Sequence, residues 1–270
     1  DDLFYELGII KANARRVSVS LAEDAHYQTQ EQATRAVDDF DVVLVRQDPP
    51  FDMAYITNTY LLEITKALVI NPPRGIRNIS EKTSILQFPE LTPNTWVGRD
   101  LDALEAFARR YEQVVLKILF MMGGEGVIKL AASDPDFRSK AAAFLAATGR
   151  EPILVQEFLP AVSGGDKRVF VLNGEPFAAL RRMPKAGDFR ANLAVGGQAV
   201  AGELDADDRA IAAAVAPLLR SEGIVFAGLD VIAGKLIEIN VTSPTLAQEL
   251  KRLSGLDLPK AFWDRVETLF

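Results

Sequence analysis

Cysteine is absent from the 270 residues, and histidine occurs once, at His26. The first absence excludes disulfides, thiolate metal ligands and cysteine nucleophiles, and it fits a reducing compartment such as the cytoplasm. The second excludes a histidine-clustered metal site and argues against a serine–histidine triad. His26 sits in a polar stretch and reads as a surface residue. Catalysis must then draw on carboxylates, lysines, arginines, backbone amides and bound metal. No apolar run approaches the roughly 18 residues needed to span a bilayer. The chain opens on Asp1-Asp2-Leu3 without an initiator methionine or a signal peptide, and reads as starting inside a domain.

Excess positive charge is lacking too. Thirty Lys and Arg stand against 37 Asp and Glu, a net charge of −7. That balance gives no reason to expect nucleic acid or an anionic membrane as partner. An anionic substrate would have to be held by local positive charge or by metal ions. Hydrophobic residues at 49% and charged residues at 25% are ordinary for a soluble globular chain.

The pattern along the chain alternates strands and helices. Residues 41–46 read as a buried strand ended by Asp48-Pro49-Pro50, followed by a helix over about 53–65 and a strand over 67–70 closed by Asn71-Pro72-Pro73. A helix over 100–112, capped by Asp100, leads into strands 114–119 and 126–131 around a glycine turn. A helix over 135–147, strands 152–159, 167–173 and 175–183, and a helix over 206–221 follow. A hairpin turning at Ala233-Gly234 is the last clear feature. The fold class is α+β, with a small lid-like unit between two larger pieces. Residues 1–39 show no clear element.

The segment 228–245 carries the sharpest signal. Glu238 and Asn240, two apart on a strand, point to one face, and the turn can bring Asp230 opposite them. Unpaired carboxylates in so apolar a frame would cost several kcal/mol. Oxygen ligands on one sheet face suit Mg²⁺, with phosphate oxygens completing the octahedron; the bland alternative is a polar set on a half-exposed sheet. Lys117 interrupts an apolar strand, where a buried ammonium needs an anion. Lys82 follows a turn that reads as a helix start, where backbone N–H groups favour anions. Gly123, Gly124 and Gly126 could let amides close over phosphates, or could simply form a tight turn. Lys167, Arg168, Arg181, Arg182 and Arg190 form a positive set suited to carboxylate or phosphate oxygens, or to a solvated face.

Read in order, these segments resemble the ATP-grasp superfamily, and within it the bacterial glutathione synthetase family. The resemblance rests on residues 46–52 (Arg-Gln-Asp-Pro-Pro-Phe-Asp), Gln156-Glu157-Phe158-Leu159-Pro160, Gly165-Asp166-Lys167-Arg168, Arg190-Ala191-Asn192 with Gly196-Gly197, Gly228-Leu229-Asp230 and, most specifically, residues 238–245. It runs from about residue 40 to the end. It implies an ATP-grasp fold of two α+β subdomains gripping ATP, preceded by a partial α/β domain that lacks its first strand and helix. The division it suggests is an N-terminal domain over 1–78, a central lid over 79–155 and a catalytic subdomain over 156–270.

The resemblance also implies roles. Lys82 and Lys117 would contact ATP phosphates beneath Gly123 and Gly124, with Gln156, Glu157 and Leu159 lining the adenine pocket. Asp230, Glu238 and Asn240 would hold two Mg²⁺ ions, with Mn²⁺ an acceptable substitute. Arg168, Arg182 and Arg190 would steady the transferring phosphoryl group. Asp48, Asn192, Gly196, Gly197, Thr242, Ser243 and Thr245 would meet γ-glutamylcysteine and glycine, which the reaction joins through an acyl-phosphate into glutathione, releasing ADP and phosphate. A homo-oligomer, a tetramer by family precedent, is implied as well. The chain departs from the family where Lys117 is followed by Ile118 rather than proline, and where Met121, Met122 and Glu125 stand among the glycines. Those departures leave two alternatives open, another ATP-grasp carboxylate–amine ligase or a divergent ATP-binding protein with impaired catalysis.

Overall fold

A computed structural model describes residues 2–20 and 26–269. The chain opens with an antiparallel sheet of β1 (Leu3–Glu6), β2 (Ile9–Val19) and β3 (Tyr27–Ala36), in that order. This sheet has no signature in the residues for a physical reason: Ile10 is the only buried residue in β2 and β3, so no apolar alternation marks them.

The expected strand–helix–strand unit follows as β4 (Val42–Leu44), α1 (Met53–Glu63) and β5 (Leu68–Ile70), the strands pairing in parallel. Asp52 caps α1 by accepting from the Tyr55 amide at 2.9 Å. The prolines after β5 do more than close a loop. Pro73 begins α2 (Pro73–Asn78), where a residue without an amide proton costs nothing.

A second sheet has the order β6-β9-β7-β8, from β6 (Thr95–Gly98), β7 (Gln113–Ile118), β8 (Val127–Ala131) and β9 (Ile153–Glu157). Two helices, α3 (Leu101–Ala108) and α4 (Phe137–Ala147), cover one face of it. Leu104, Phe107, Phe137 and Leu145 pack there on Val114, Leu116, Ile153 and Val155. Asp100 caps α3 as expected, accepting from the Ala103 amide at 2.7 Å.

The third sheet is antiparallel, in the order β12-β11-β10-β13-β14. Its strands are β10 (Asp166–Leu172), β11 (Glu175–Met183), β12 (Gln198–Gly202), β13 (Phe226–Ile232) and β14 (Lys235–Asn240). Alternation along β10 sorts its two faces. Val169 and Val171 join Leu229, Val231 and Ile239 against Ile211, Val215 and Leu219 of α5 (Ala206–Ser221). Phe170 and Leu172 on the other face pack under Leu250 of α6 (Ala247–Ser254) and Leu258 of α7 (Leu258–Val266). That second face is apolar at one end only. Its other end, with Asp166 and Arg168, is left to a row of charges.

Asn71, buried just after β5, ties this sheet to the first α/β unit. No helix among the described residues is long and apolar enough to cross a membrane.

Candidate active site

The charged row crosses four strands by direct register. Arg182 of β11 stands opposite Asp166 of β10, Arg168 of β10 opposite Asp230 of β13, and Asp230 opposite Glu238 of β14. Side chains directly opposite in an antiparallel pair share a face, so the row lies on one face, alternating in sign from Arg182 to Asp230 and ending on two adjacent carboxylates, Asp230 and Glu238. Arg182 donates to both Asp166 oxygens at 2.7 Å and reaches Asp230 at 2.9 Å. Arg168 donates to Asp230 at 2.5 and 3.1 Å. Burial alone would raise Asp230, but Arg168 and Arg182 outweigh it and hold the carboxyl well below the usual carboxylate range. Burial dominates at Asp166, which is raised in spite of Arg182.

Lys117 crosses from the second sheet to this row, its Nζ 3.5 Å from Glu238 Oε1. Burial lowers Lys117 despite that partner. Glu238 would be raised by burial, yet Lys82 and Lys117 together bring it below its ordinary value. Lys82 is also buried. Its Nζ lies 3.1 Å from Glu81 and donates to the Met121 carbonyl at 2.6 Å. Only a 3-10 turn over Ser84–Gln87 follows it. The reading of Lys82 at a helix start is therefore corrected: a turn of that length has no helix terminus, and neighbouring side-chain charge is what surrounds the lysine.

These groups line an open cleft between the second and third sheets. Its walls bring together Lys82, Lys117, Gly123, Gly124, Gln156, Glu157, Leu159, Arg182, Arg190, Asn192, Asp230 and Glu238, all expected from the sequence to belong to one site. Arg168 lies behind Asp230, and Asn240, whose amide donates to the Gly228 carbonyl at 3.3 Å, sits just beyond. Asp48, Gly196, Gly197, Thr242, Ser243 and Thr245 are not among the cleft's lining residues. Thr242 borders a smaller adjoining hollow beside Glu81 and Met122.

One end of the cleft is apolar, with Val115, Val127, Phe158, Ile232 and Ile237. There Glu157 accepts from the Asn94 amide and side chain, both at 3.1 Å, and Gln156 donates to Thr95 Oγ1 at 3.1 Å. The glycine loop closes the other side. Gly124 has φ +87°, and a Cβ on it would stand 2.9 Å from Asn192 Oδ1. Its carbonyl accepts from Arg190 at 3.1 Å, while Asp188 grips the same guanidinium. Those hydrogen bonds from Arg190 pull the Asp188 carboxyl down to about 2.

Two acidic lining residues outside the glycine loop, Asp166 and Glu81, escaped the sequence reading as members of the site. Asp166 was visible in its motif, and strand alternation would have separated it from Lys167, which faces Asp205 and Asp208 instead. Glu81 had no sequence signal. Burial, reinforced by repulsion from Glu238, lifts it to about 7 against the pull of Lys82. Arg181 is on the outer face, donating to the Gly164 carbonyl at 2.9 Å.

Among the described residues no group of three or more His, Asp or Glu side chains is arranged to hold a metal ion by itself. Asp230 and Glu238, both kept ionised and directly opposite, with Asn240 next on the same face, still offer hard oxygens to a cation whose remaining ligands come from a bound phosphate. The donor set fits Mg²⁺ on those terms.

Comparison with known proteins agrees with this architecture. Residues 81–255 match the model of the prokaryotic glutathione synthetase ATP-grasp domain, and residues 1–77 match that of the same enzymes' N-terminal domain. The second match corrects the expectation that the likeness begins near residue 40. The chain is 45% identical over 244 residues to a glutathione synthetase of Bradyrhizobium diazoefficiens, covering 90% of this chain and 77% of the relative. It is 40% identical to that of Pseudomonas syringae pv. tomato, covering 98% and 84%. Among solved structures, D-cycloserine synthetase DcsG superposes with a TM-score of 0.67 at 18% identity, covering 85% of this chain and 84% of that one. The ATP-grasp ligase PsnB, bound to a precursor variant, Mg and ADP, superposes at 0.59 with 19% identity, covering 94% and 85%. At such identities these two neighbours speak for the fold, which is ATP-grasp.

Proposed function

Because the chain belongs to the prokaryotic glutathione synthetase family, we propose that its cleft binds ATP and joins γ-glutamylcysteine to glycine, releasing ADP and phosphate. The observation that carries this reading is the charged row Arg182, Asp166, Arg168, Asp230 and Glu238, met by Lys117 from the opposite sheet and by Lys82 from the turn after α2.

A carboxylate is a poor electrophile, and the reaction first makes it an acyl-phosphate with ATP. Such a transfer asks the protein for position and charge rather than covalent chemistry. Lys82 and Lys117 are placed to exchange a carbonyl and a carboxylate for phosphate oxygens. Arg182 and Arg190 border the same space and would steady the transferring group, with Arg168 adding charge from behind Asp230. Gln156, Glu157 and Leu159 would frame the adenine at the apolar end. Asp230, Glu238 and Asn240 would hold Mg²⁺, which when bound supplies charge neutralisation to the phosphates. Asp48, Asn192, Gly196, Gly197, Thr242, Ser243 and Thr245 would receive the acid and the amine. The glycine loop, tied to Lys82 and Arg190, would keep water from the acyl-phosphate.

We read the chain as an N-terminal domain over 1–78, a lid over 79–155 and a catalytic subdomain over 156–270, the second boundary lying within β9. A cytoplasmic homo-oligomer, a tetramer by family resemblance, completes the reading. It is tested by ADP release, which should require γ-glutamylcysteine and glycine together. Turnover only with other acids or amines would contradict it. A second reading is motivated by the Met121 carbonyl on Lys82 and by Glu125 in the cleft wall: a divergent ATP-binding protein, which would bind ATP yet form no ADP with any substrate mixture.

A further inference from the structure

The segment that follows Asn240 is held from the far end of the chain. Arg46, just past β4, donates from Nη2 to the Pro244 carbonyl at 2.9 Å. Asn71, just past β5, donates from Nδ2 to the Val241 carbonyl at 2.6 Å and to the Phe226 carbonyl at 2.7 Å. Its Oδ1 accepts from the Val225 and Phe226 amides at 3.1 and 3.0 Å. A carboxamide has two donor hydrogens and two acceptor sites, and all four are engaged at Asn71. The residue is 4% exposed. It has nothing left with which to meet a ligand.

These bonds have a pattern that packing alone does not require. They come from the carboxyl ends of the two parallel strands, the edge at which α/β sheets commonly meet their ligands. They reach the first and last residues of the four-residue stretch 241–244, so Thr242 and Ser243 are gripped on both sides. Asn71 also joins the outer ends of β13 and β14, the hairpin that carries Asp230, Glu238 and Asn240. Buried backbone carbonyls need partners, but the ones chosen here belong to a unit more than 150 residues away in the chain.

We propose that Arg46 and Asn71 are positioning residues for the ligation: they act through the backbone of 241–244 to set the turn that receives the acid and amine substrates. The inference rests on the family reading of that turn. It makes the first α/β unit part of substrate recognition through backbone placement, while leaving the ATP end of the cleft to the second and third sheets.

The test uses the full chain carrying Arg46→Gln, Arg46→Lys or Asn71→Asp. Hydrogen exchange and steady-state kinetics are measured on each. Arg46→Gln removes the charge-assisted bond to Pro244. It should speed exchange at the amides of 242, 243 and 245, leave 166–183 unchanged, and raise KM for γ-glutamylcysteine and glycine about ten-fold. KM for ATP should stay within about two-fold of the original, and Arg46→Lys should recover part of the loss. Asn71→Asp keeps both acceptors and loses both donors, so exchange should quicken at 241–243 as well as at the start of β13. If that variant fails to fold, the Arg46 pair carries the test alone. Unchanged exchange over 242–245, or a rise in KM for ATP equal to that for the other substrates, overturns the proposal. Absence of turnover in the unsubstituted protein would instead overturn the family reading, and the exchange measurement would still decide this one.

Discussion

Asp230 and Glu238 face each other across the last hairpin because β14 carries one residue more than β13 over the same stretch. From the turn, Ile232 pairs with Lys235 and Val231 with Leu236; the register then slips, and Asp230 pairs with Glu238. The extra residue is Ile237, a β-bulge. Were Ile237 paired in regular register instead, Asp230 would meet it, and Glu238 would fall opposite Leu229 on the face covered by α5. One residue of register decides whether the two carboxylates share a face.

Inserting an alanine between Asp230 and Val231, which gives Ile237 a partner and abolishes the bulge, is therefore expected to do more than lengthen a strand. It turns Glu238 toward the apolar core under α5, where an unpaired carboxylate costs several kcal/mol, roughly 2–7 by transfer measurements. ADP formation should fall by at least about 100-fold, equivalent to nearly 3 kcal/mol, and the urea midpoint should drop. Replacement of Ile237 by Val keeps the register and should keep most activity.

Asp230→Asn tests the charge row as a unit. The change leaves Arg168 and Arg182 buried with only Asp166 to balance them. Breaking a buried pair from one side costs about 3–5 kcal/mol, to be read from urea unfolding. Removing the pair on both sides, as Asp230→Asn with Arg168→Met, should recover part of that loss.

Lys117→Met should behave in the opposite way. The ammonium is buried, its pKa is lowered by that burial, and its ion pair with Glu238 is long at 3.5 Å. Stability should change little. ATP affinity, followed by calorimetry, should weaken about 10- to 100-fold, the loss of one charge-assisted contact.

The Asp188–Arg190 pair gives a pH dependence with a defined sign. Arg190 holds the Asp188 carboxyl at about 2, below the value of about 3.9 in an unfolded chain. A depressed carboxylate contributes stability in full above its unfolded value and loses it as pH falls through the folded one. The pair is partly open to water, so the contribution is about 1 kcal/mol at most. Thermal unfolding of Asp188→Asn should differ from the original at pH 6 and converge with it near pH 2.

Much of this was legible in the residues. The apolar frame around Asp230, Glu238 and Asn240 marked the hairpin, and a lysine inside the strand 114–119 announced an anionic partner, which is Glu238. The rest depended on information that spacing does not carry. The bulge at Ile237 leaves no mark in composition, because an apolar residue fits either register there. Glu81 is drawn into the site by tertiary packing next to Glu238, and Asn71 works through backbone groups of distant strands. β2 and β3 were missed because strands that bury a single residue show no alternation.

As proposed above, Asp230, Glu238 and Asn240 converge on metal-bound nucleotide. A crystal structure with Mg²⁺ and a non-hydrolysable ATP analogue tests it most directly. The expected result is magnesium bridging the phosphates to Glu238 and its neighbours at about 2.1 Å, with Lys82 and Lys117 on phosphate oxygens. Nucleotide bound with its phosphates away from β13 and β14, and the carboxylates still paired to arginine and lysine alone, would contradict it.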